Sequence, residues 1–303
     1  MPTRRQPKKR GPGTLGLLIR DYRASPIFQD LAPRTRADYQ KVFDYLRPIA
    51  DTALARFDRP LVVRIRDKAA ASKGRRFANY VKAVLSIIFG WGRERGCISD
   101  NPASGIKGIR RQTGAPEANR PWSDAERHAV LDAAPDHLRP AIALMMFTGL
   151  GPKDALTLPR NFAKDGEIAT RRAKTGEPVF WPMPSPLMVI LDNAPRHSAT
   201  TLCVSSKGRP WTLSGFSGAW GKLRQKLERD GLIGPGLTPY GLRHTLAVIL
   251  RENGCDERTI ADALGQRTIE MARHYAQGAD LKGKMRRVVK DFDAELARRR
   301  REK

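Results

Sequence analysis

The 303-residue chain carries 56 Lys and Arg against 31 Asp and Glu, a formal net charge of +25, with 40% hydrophobic residues. Such an excess exceeds what solubility requires, and with an ordinary apolar content it points to a folded protein on nucleic acid. No apolar run approaches the roughly 20 residues of a spanning helix, which argues against a membrane partner.

Residues 1–13, MPTRRQPKKRGPG, are basic, rich in Pro and Gly, and without an apolar stretch. They predict a disordered arm that touches phosphates without reading sequence, and they do not form a secretory signal. Residues 14–108 read as a helical domain. Leu15, Leu17 and Leu18 lead into Tyr22, and Tyr39, Val42, Phe43, Leu46 and Ile49 recur at helical spacing. A stronger stripe, Phe77, Tyr80, Val81, Val84, Leu85 and Ile88, is expected to end at Gly90, Trp91 and Gly92. Lys73, Arg75, Arg76 and Lys82 accompany it; on a neutral protein they would be a solvated face, and on this one they suggest a DNA-facing side. The stretch NPASGIKGIRRQTGAPEANRP has no periodicity, and residues 109–120 are expected to be the linker.

The next domain, residues 121–285, opens on SDAE, a capping box of Ser123 and Glu126. PAIALMMFTGL reads as a buried helix ending near Gly149. GEIATRRAKTGEPVFWPM alternates and turns at Thr175-Gly176, which predicts a β-hairpin with Lys174 at its tip. TLSGFSGAWGKLRQKL is a helix with Phe216, Trp220 and Leu223 inward. Residues 286–303 form a basic amphipathic tail in which Val288, Val289, Phe292 and Leu296 fall at helical spacing. Cys97, Cys203 and Cys255 are odd in number and without metal-binding spacing, so reduced thiols and a cytoplasmic location are expected.

The stretch from Leu237 to Ala276 organises the rest. Thr238 and Pro239 predict a helix start, with Tyr240, Arg243 and His244 on one face and Ala247, Val248 and Leu250 as its apolar stripe. Gly254 ends that helix, Asp256 caps the next, Gly265 ends it, and a third helix carries Arg273, His274 and Tyr275. YGLRHT resembles the His-x-x-Arg box of the tyrosine recombinases (phage integrases). LGQRTIEMARHYA resembles the segment that ends in their nucleophile, and the two stand in the family's order.

The resemblance spans nearly the whole chain and implies a mainly α protein with a small β-sheet. A helical core-binding domain would precede an α+β catalytic domain, the two basic domains together clamping duplex DNA. It further implies site-specific strand cleavage and rejoining through a 3′-phosphotyrosine, with integration or excision of a mobile element as the outcome. Tyr275 would be the nucleophile, Arg243 a phosphate clamp and Lys174 the acid, with Tyr240 and Gln266 as further phosphate contacts. No metal or cofactor is implied. The implied partners are double-stranded DNA and further copies of the chain, monomeric in solution and tetrameric in the synaptic complex, with room for an accessory directionality factor.

The chain departs from the family pattern at three places. Gly151 stands where the first clamp arginine is usual, Tyr240 replaces the first histidine of the box, and Gln266 replaces a histidine or tryptophan. Tyr240 and Gln266 retain hydrogen-bonding atoms; Gly151 offers none. Lys153 and Arg160 are the cations in range if the intervening segment is a loop. Each candidate also has a plain structural role: Tyr275 as a half-buried helix residue, Arg243 as an ion-pair partner, Lys174 as a solvated turn residue, His244 as a packing or orienting group. The rival functions are a silenced recombinase-like DNA-binding protein, a generic basic helical protein, and a metal-dependent nuclease, disfavoured because no carboxylate cluster is evident.

Overall fold

The computed structural model describes residues 13–112, 114 and 118–301, the side chains of 295–297 and 299–301 excepted. Apart from Gly13, the arm expected over residues 1–13 lies outside the described residues, as does the side chain of Leu296. The chain divides into two compact units, Met1–Ala115 and Pro116–Lys303. It is mainly helical, with one small sheet. No helix among the described residues is long and apolar enough to cross a membrane.

The first unit holds α1 (Leu15–Arg23), α2 (Pro26–Gln29), α3 (Pro33–Leu46), α4 (Arg59–Lys73) and α5 (Arg75–Glu94). Side-chain caps start α1, α2 and α4: Thr14, Ser25 and Asp58 each accept a backbone N–H that the helix leaves unpaired. α5 buries Ala78, Val81, Val84, Leu85, Ile88 and Phe89 on one face, and its packing centres on α4 and α1. Tyr22 sits edge-on to Phe28 and to Trp91, each at 5.6 Å between ring centroids. Each fully buried Leu, Ile or Phe of this kind contributes roughly 1.5–3 kcal/mol.

Three features of this unit differ from the reading of the sequence. α5 does not stop at Gly90–Gly92 but continues to Glu94. A Cβ on Gly92 would lie 2.8 Å from Leu18 Cδ1, so that glycine is a close-approach site for α1 rather than a terminator. α4 carries no strong apolar stripe and was not foreseen; it buries only Val62, Ile65 and Ala69. The stretch from Asn101 is not a free connector in its first half. Ala103 and Ile106 are buried, and Asn79 pairs with both the N–H (2.8 Å) and the carbonyl (3.0 Å) of Ile109.

The second unit begins with α6 (Asp124–Ala133), whose capping box is formed as expected. Glu126 is buried and accepts from Arg120 at 2.6 Å and from the Gly234 N–H at 3.0 Å, tying α6 to the segment before the organising stretch. α7 (Arg139–Thr148) is buried almost all round and ends at Gly149, φ +64°; α8 (Pro152–Leu156) follows at once. The sheet has order β1-β2-β3, from β1 (Ala163–Lys164), β2 (Glu167–Arg171) and β3 (Pro178–Pro182). β2 and β3 pair antiparallel with Thr170 opposite Val179 and Arg171 opposite Pro178. Ile168 and Val179 face the core, and β1 was not foreseen.

α9 (Ser185–Asp192) and α10 (Leu213–Arg229) complete the main core, with Phe216, Trp220 and Leu223 inward and Trp220 stacked on Trp122. α11 (Gly241–Glu252), α12 (Glu257–Ala263) and α13 (Ile269–Tyr275) build a smaller core from Leu246, Ala247, Ile260, Ala261, Leu264, Ala272 and Ala276. α11 starts two residues later than Thr238-Pro239 suggests: Thr238 Oγ1 accepts from the Gly241 N–H, and Tyr240 is the N-cap. Leu242, Thr245 and Leu246 are buried on it, whereas Val248 and Leu250 are only half-buried. The C-terminal segment is a helix, α14 (Lys282–Arg301), with Met285, Val288, Val289 and Phe292 exposed.

Candidate active site

The small core of α11, α12 and α13 sets a group of functional side chains against the α7–α8 corner and the β2–β3 turn. Arg243 is 4% exposed. It donates to the Gly149 carbonyl at 2.7 Å and the Leu264 carbonyl at 2.6 Å, both carbonyls belonging to residues at helix ends. Gly149 must be glycine here, since its φ is +64° and a Cβ would meet Leu264 Cδ2 at 2.6 Å. The Arg243 guanidinium carbon lies 5.3 Å from the centroid of the Tyr275 ring. Burial, then the positive charge of Arg172, push its pKa down to about 10; Tyr275 and Asp154 oppose that shift. At neutral pH the guanidinium stays cationic.

Tyr275 ends α13 and is half-buried. His244 meets its ring at 4.4 Å between centroids, and His274 lies 5.9 Å from His244. Burial, with His274 and Arg243 adding to it, lowers the His244 pKa to about 4, so this imidazole is neutral at pH 7, able to accept a hydrogen bond but a weak base. Neighbouring Arg273 turns the other way, into an ion pair with Glu257 of α12 at 2.7 Å.

Gly151 lies at the mouth of the same group. A Cβ built on it would be 3.5 Å from Arg172 Nη2, 3.6 Å from Tyr240 Cε1 and 3.7 Å from Asp154 Oδ2. Its φ of −69° is open to any residue. Asp154 is ion-paired to Arg172 at 3.1 Å and also accepts the Ala173 N–H at 3.0 Å, so one carboxylate anchors the start of the hairpin turn. Arg172 itself closes that turn, exchanging backbone hydrogen bonds with Gly176 and Glu177.

Of the five residues singled out from the sequence, the fold gathers Arg243 and Tyr275 at one point and brings Tyr240, 49% exposed, beside Gly151. Gln266 follows Gly265 next to the Arg172 stem; both its amide oxygen and nitrogen are buried without a hydrogen-bond partner. Lys174 stands exposed on the turn, two residues beyond Arg172. The two cations considered as substitutes for the missing arginine do not fill the gap. Arg160 is held by His197, 2.8 Å from its Nδ1 and from its carbonyl, and Lys153 is exposed. The sequence reading missed Arg172 and Asp154 and gave His244 too small a part. The available signal was the Arg171-Arg172 doublet just ahead of Lys174, an extra arginine in a chain lacking one at Gly151.

The profile of the phage integrase family matches residues 124–282. The tyrosine recombinase XerD of Halalkalibacterium halodurans is 37% identical over 97 residues, covering 32% of this chain and 30% of that relative. The alignment therefore spans less than a third of the relative's length. Among solved structures, the Tn1549 transposon integrase in complex with a circular intermediate DNA matches with a TM-score of 0.79 at 16% identity, over 92% of this chain and 99% of that one. The lambda integrase tetramer bound to a Holliday junction matches with a TM-score of 0.75 at 18% identity, over 90% and 80%. At these identities the likeness is one of fold. The family profile covers more than half of the chain and includes Arg243, Lys174, Gln266 and Tyr275: the chain belongs to the phage integrase family, the tyrosine recombinases.

Proposed function

We propose that this protein is a site-specific DNA strand transferase that cleaves and rejoins duplex DNA through Tyr275. The observation that carries the reading is the buried, charged Arg243 beneath the Tyr275 ring, beside polar atoms that lack partners. Buried donors without acceptors are costly, and an incoming phosphate would satisfy them. In the reaction the Tyr275 oxygen attacks the phosphorus as the phenol releases its proton to solvent, with neutral His244 packed against the ring and positioning it. The P–O5′ bond breaks, the departing oxygen takes a proton from Lys174, and a 3′-phosphotyrosine is left. A 5′-hydroxyl attacking that ester reverses each step and rejoins the strand. Arg243, Tyr240 and Gln266 hold the non-bridging oxygens, and guanidinium suits that task because its planar donors match phosphate and stay charged.

The partner is double-stranded DNA, recognised through the +25 charge and bound by both units, with residues 1–13 adding phosphate contacts. Copies of the chain assemble on two sites, as the lambda integrase tetramer does on its junction, and an accessory factor sets direction. A mobile element is the natural setting, as for the transposon integrase of the same fold. The test is a nicked duplex bearing a site selected by the protein itself from a random pool. Wild type should form a detergent-resistant, EDTA-indifferent adduct, and Tyr275→Phe should bind equally and form none. Tight binding with no adduct from either protein would instead identify a silenced DNA-binding member, the outcome that Gly151 would favour if nothing replaced the missing arginine.

A further inference from the structure

Gly151 removes from the site a positive charge that the proposed chemistry needs, and the structure holds a candidate for it. Three facts concern Arg172. First, its Nη2 lies 3.5 Å from where a Gly151 side chain would begin, so its guanidinium occupies the room that a longer residue at 151 would use. Second, it is half-buried, its side chain 14% exposed, and its stem passes Gly265, where a Cβ would sit 3.0 Å from Arg172 Cγ and 2.5 Å from Val179 Cγ2. Gly265, with φ +57°, therefore leaves the space through which the arginine reaches inward. Third, its hydrogen-bonding capacity is not used up. Nη1 stands 3.1 Å from Asp154 Oδ2 in an ion pair but has no aligned hydrogen bond, and it is buried.

A structural arginine would be matched by its carboxylate. Here Arg172 and Arg243 interact with each other and have Asp154 as the carboxylate acting on both. Two cations, Arg243 buried and Arg172 half-buried, against one anion leave a positive excess near Gly151, and Gln266 adds a buried amide with neither end paired. Such an excess suits an anionic group. A phosphodiester enters with one negative charge, and the five-coordinate species formed by Tyr275 carries a second until O5′ departs with its proton. Two guanidinium groups answer that change; Arg243 alone does not.

We propose that Arg172, entering from the β2–β3 turn, is the second guanidinium of the phosphate clamp and replaces the arginine absent at Gly151. This deepens the strand-transfer reading and rests on it. The clamp is then delivered on the same turn as Lys174, so the acid and one clamp arrive as a unit, held to the α7–α8 corner by Asp154. Arg172 would touch a non-bridging oxygen directly, and Asp154 acts through it as a positioning residue.

The experiment compares adduct formation by wild type, Arg172→Ala and Arg172→Lys on two versions of the selected nicked duplex, the scissile position having been mapped with wild type. One version carries the ordinary phosphodiester; in the other a methyl group replaces one non-bridging oxygen and removes its charge. On the phosphodiester, Arg172→Ala should be slower by about 10²–10³-fold, the usual cost of losing one transition-state donor. Arg172→Lys should fall between, having charge without the planar fork. On the neutral methylphosphonate the deficit of both variants should shrink to within about tenfold, because the five-coordinate species then carries one negative charge rather than two, which Arg243 alone can answer. A merely structural arginine would lower both substrates alike, and an equal deficit on both, or none on either, overturns the proposal. If Arg172→Ala does not fold, Arg172→Lys carries the same comparison. No adduct from wild type on either DNA overturns the strand-transfer reading and this inference with it, whereas an active wild type with an uncharged-substrate deficit overturns only this inference.

Discussion

Gly149 and Gly151 are two residues apart and serve opposite ends. Gly149 has φ +64° and no room for a Cβ, since Leu264 Cδ2 would lie at 2.6 Å and Leu246 Cδ2 at 3.0 Å. Gly151 has an ordinary φ of −69° and would meet its neighbours at 3.5 Å or more. Gly149→Ala should therefore destabilise by roughly 1–3 kcal/mol, while Gly151→Ala should leave thermal melting almost unchanged. Equal melting losses for the two would contradict this geometry. Gly151→Arg is a different matter, because its guanidinium would compete with Arg172. It should lower adduct formation in the wild-type background and raise it in an Arg172→Ala background, a sign reversal that adduct yields on one duplex would reveal. Arg243 could be singled out from YGLRHT because the motif that marks it is contiguous in the sequence, although its partners Gly149, Leu264 and Tyr275 are distant in the chain. Arg172 could not be: it reaches Gly151 only once a hairpin and a helix corner have been packed together, 21 positions apart in the chain.

At the scale of elements, the second unit was read best where local chemistry sets the structure. The capping box of α6, the αL end of α7 at Gly149 and the β2–β3 turn all follow from residue type at fixed spacing. The first unit was read less well where packing overrides propensity. Gly92 sits inside α5 because α1 approaches closely there, Gly90 faces Asn101 instead, and α4 forms despite its weak stripe by lying along α5. The start of α6 also makes a pH prediction. The Arg120 guanidinium, aided by the Ser123 and Gly234 N–H groups, holds the Glu126 carboxyl at about 2, below its ordinary 4.5. A depressed carboxyl contributes fully above about pH 4.5 and loses that contribution as pH falls toward 2. Glu126→Gln should cost on the order of 2–3 kcal/mol at neutral pH, and the gap in melting temperature from wild type should narrow steadily from about pH 4.5 toward pH 2, the window between the ordinary and the lowered carboxyl pKa. A gap independent of pH would refute the assignment.

α14 offers a second prediction at this scale. Met285, Val288, Val289 and Phe292 are exposed on a helix otherwise rich in arginine. We expect this face to meet a neighbouring copy when two sites are occupied. Val289→Glu with Phe292→Glu should leave affinity for a half-site within about twofold and reduce cooperative occupancy of a two-site duplex by about tenfold, or about 1.4 kcal/mol of coupling. Equal losses in the two gel-shift assays would make the helix a phosphate contact instead.

For the molecule as a whole, charge speaks first. An excess of 25 positive charges predicts affinity for duplex DNA that falls steeply with salt, with a log–log slope of about −0.9 per phosphate neutralised. The fold class could be read from the order of motifs, and the family profile over residues 124–282 agrees with it. What the sequence could not convey was the meeting of Arg172 and Arg243 near Gly151, with Asp154 as the carboxylate acting on both. The central claim is that Tyr275 is the atom donor to phosphorus. It is tested most directly by trapping the protein on its selected nicked duplex, digesting with trypsin and measuring the mass of the nucleotide-bearing peptide. The account predicts a phosphodiester-linked peptide spanning residues 274–282 with the DNA on Tyr275. A nucleotide found on any other peptide, or none on any peptide from a duplex that the protein binds tightly, would contradict it.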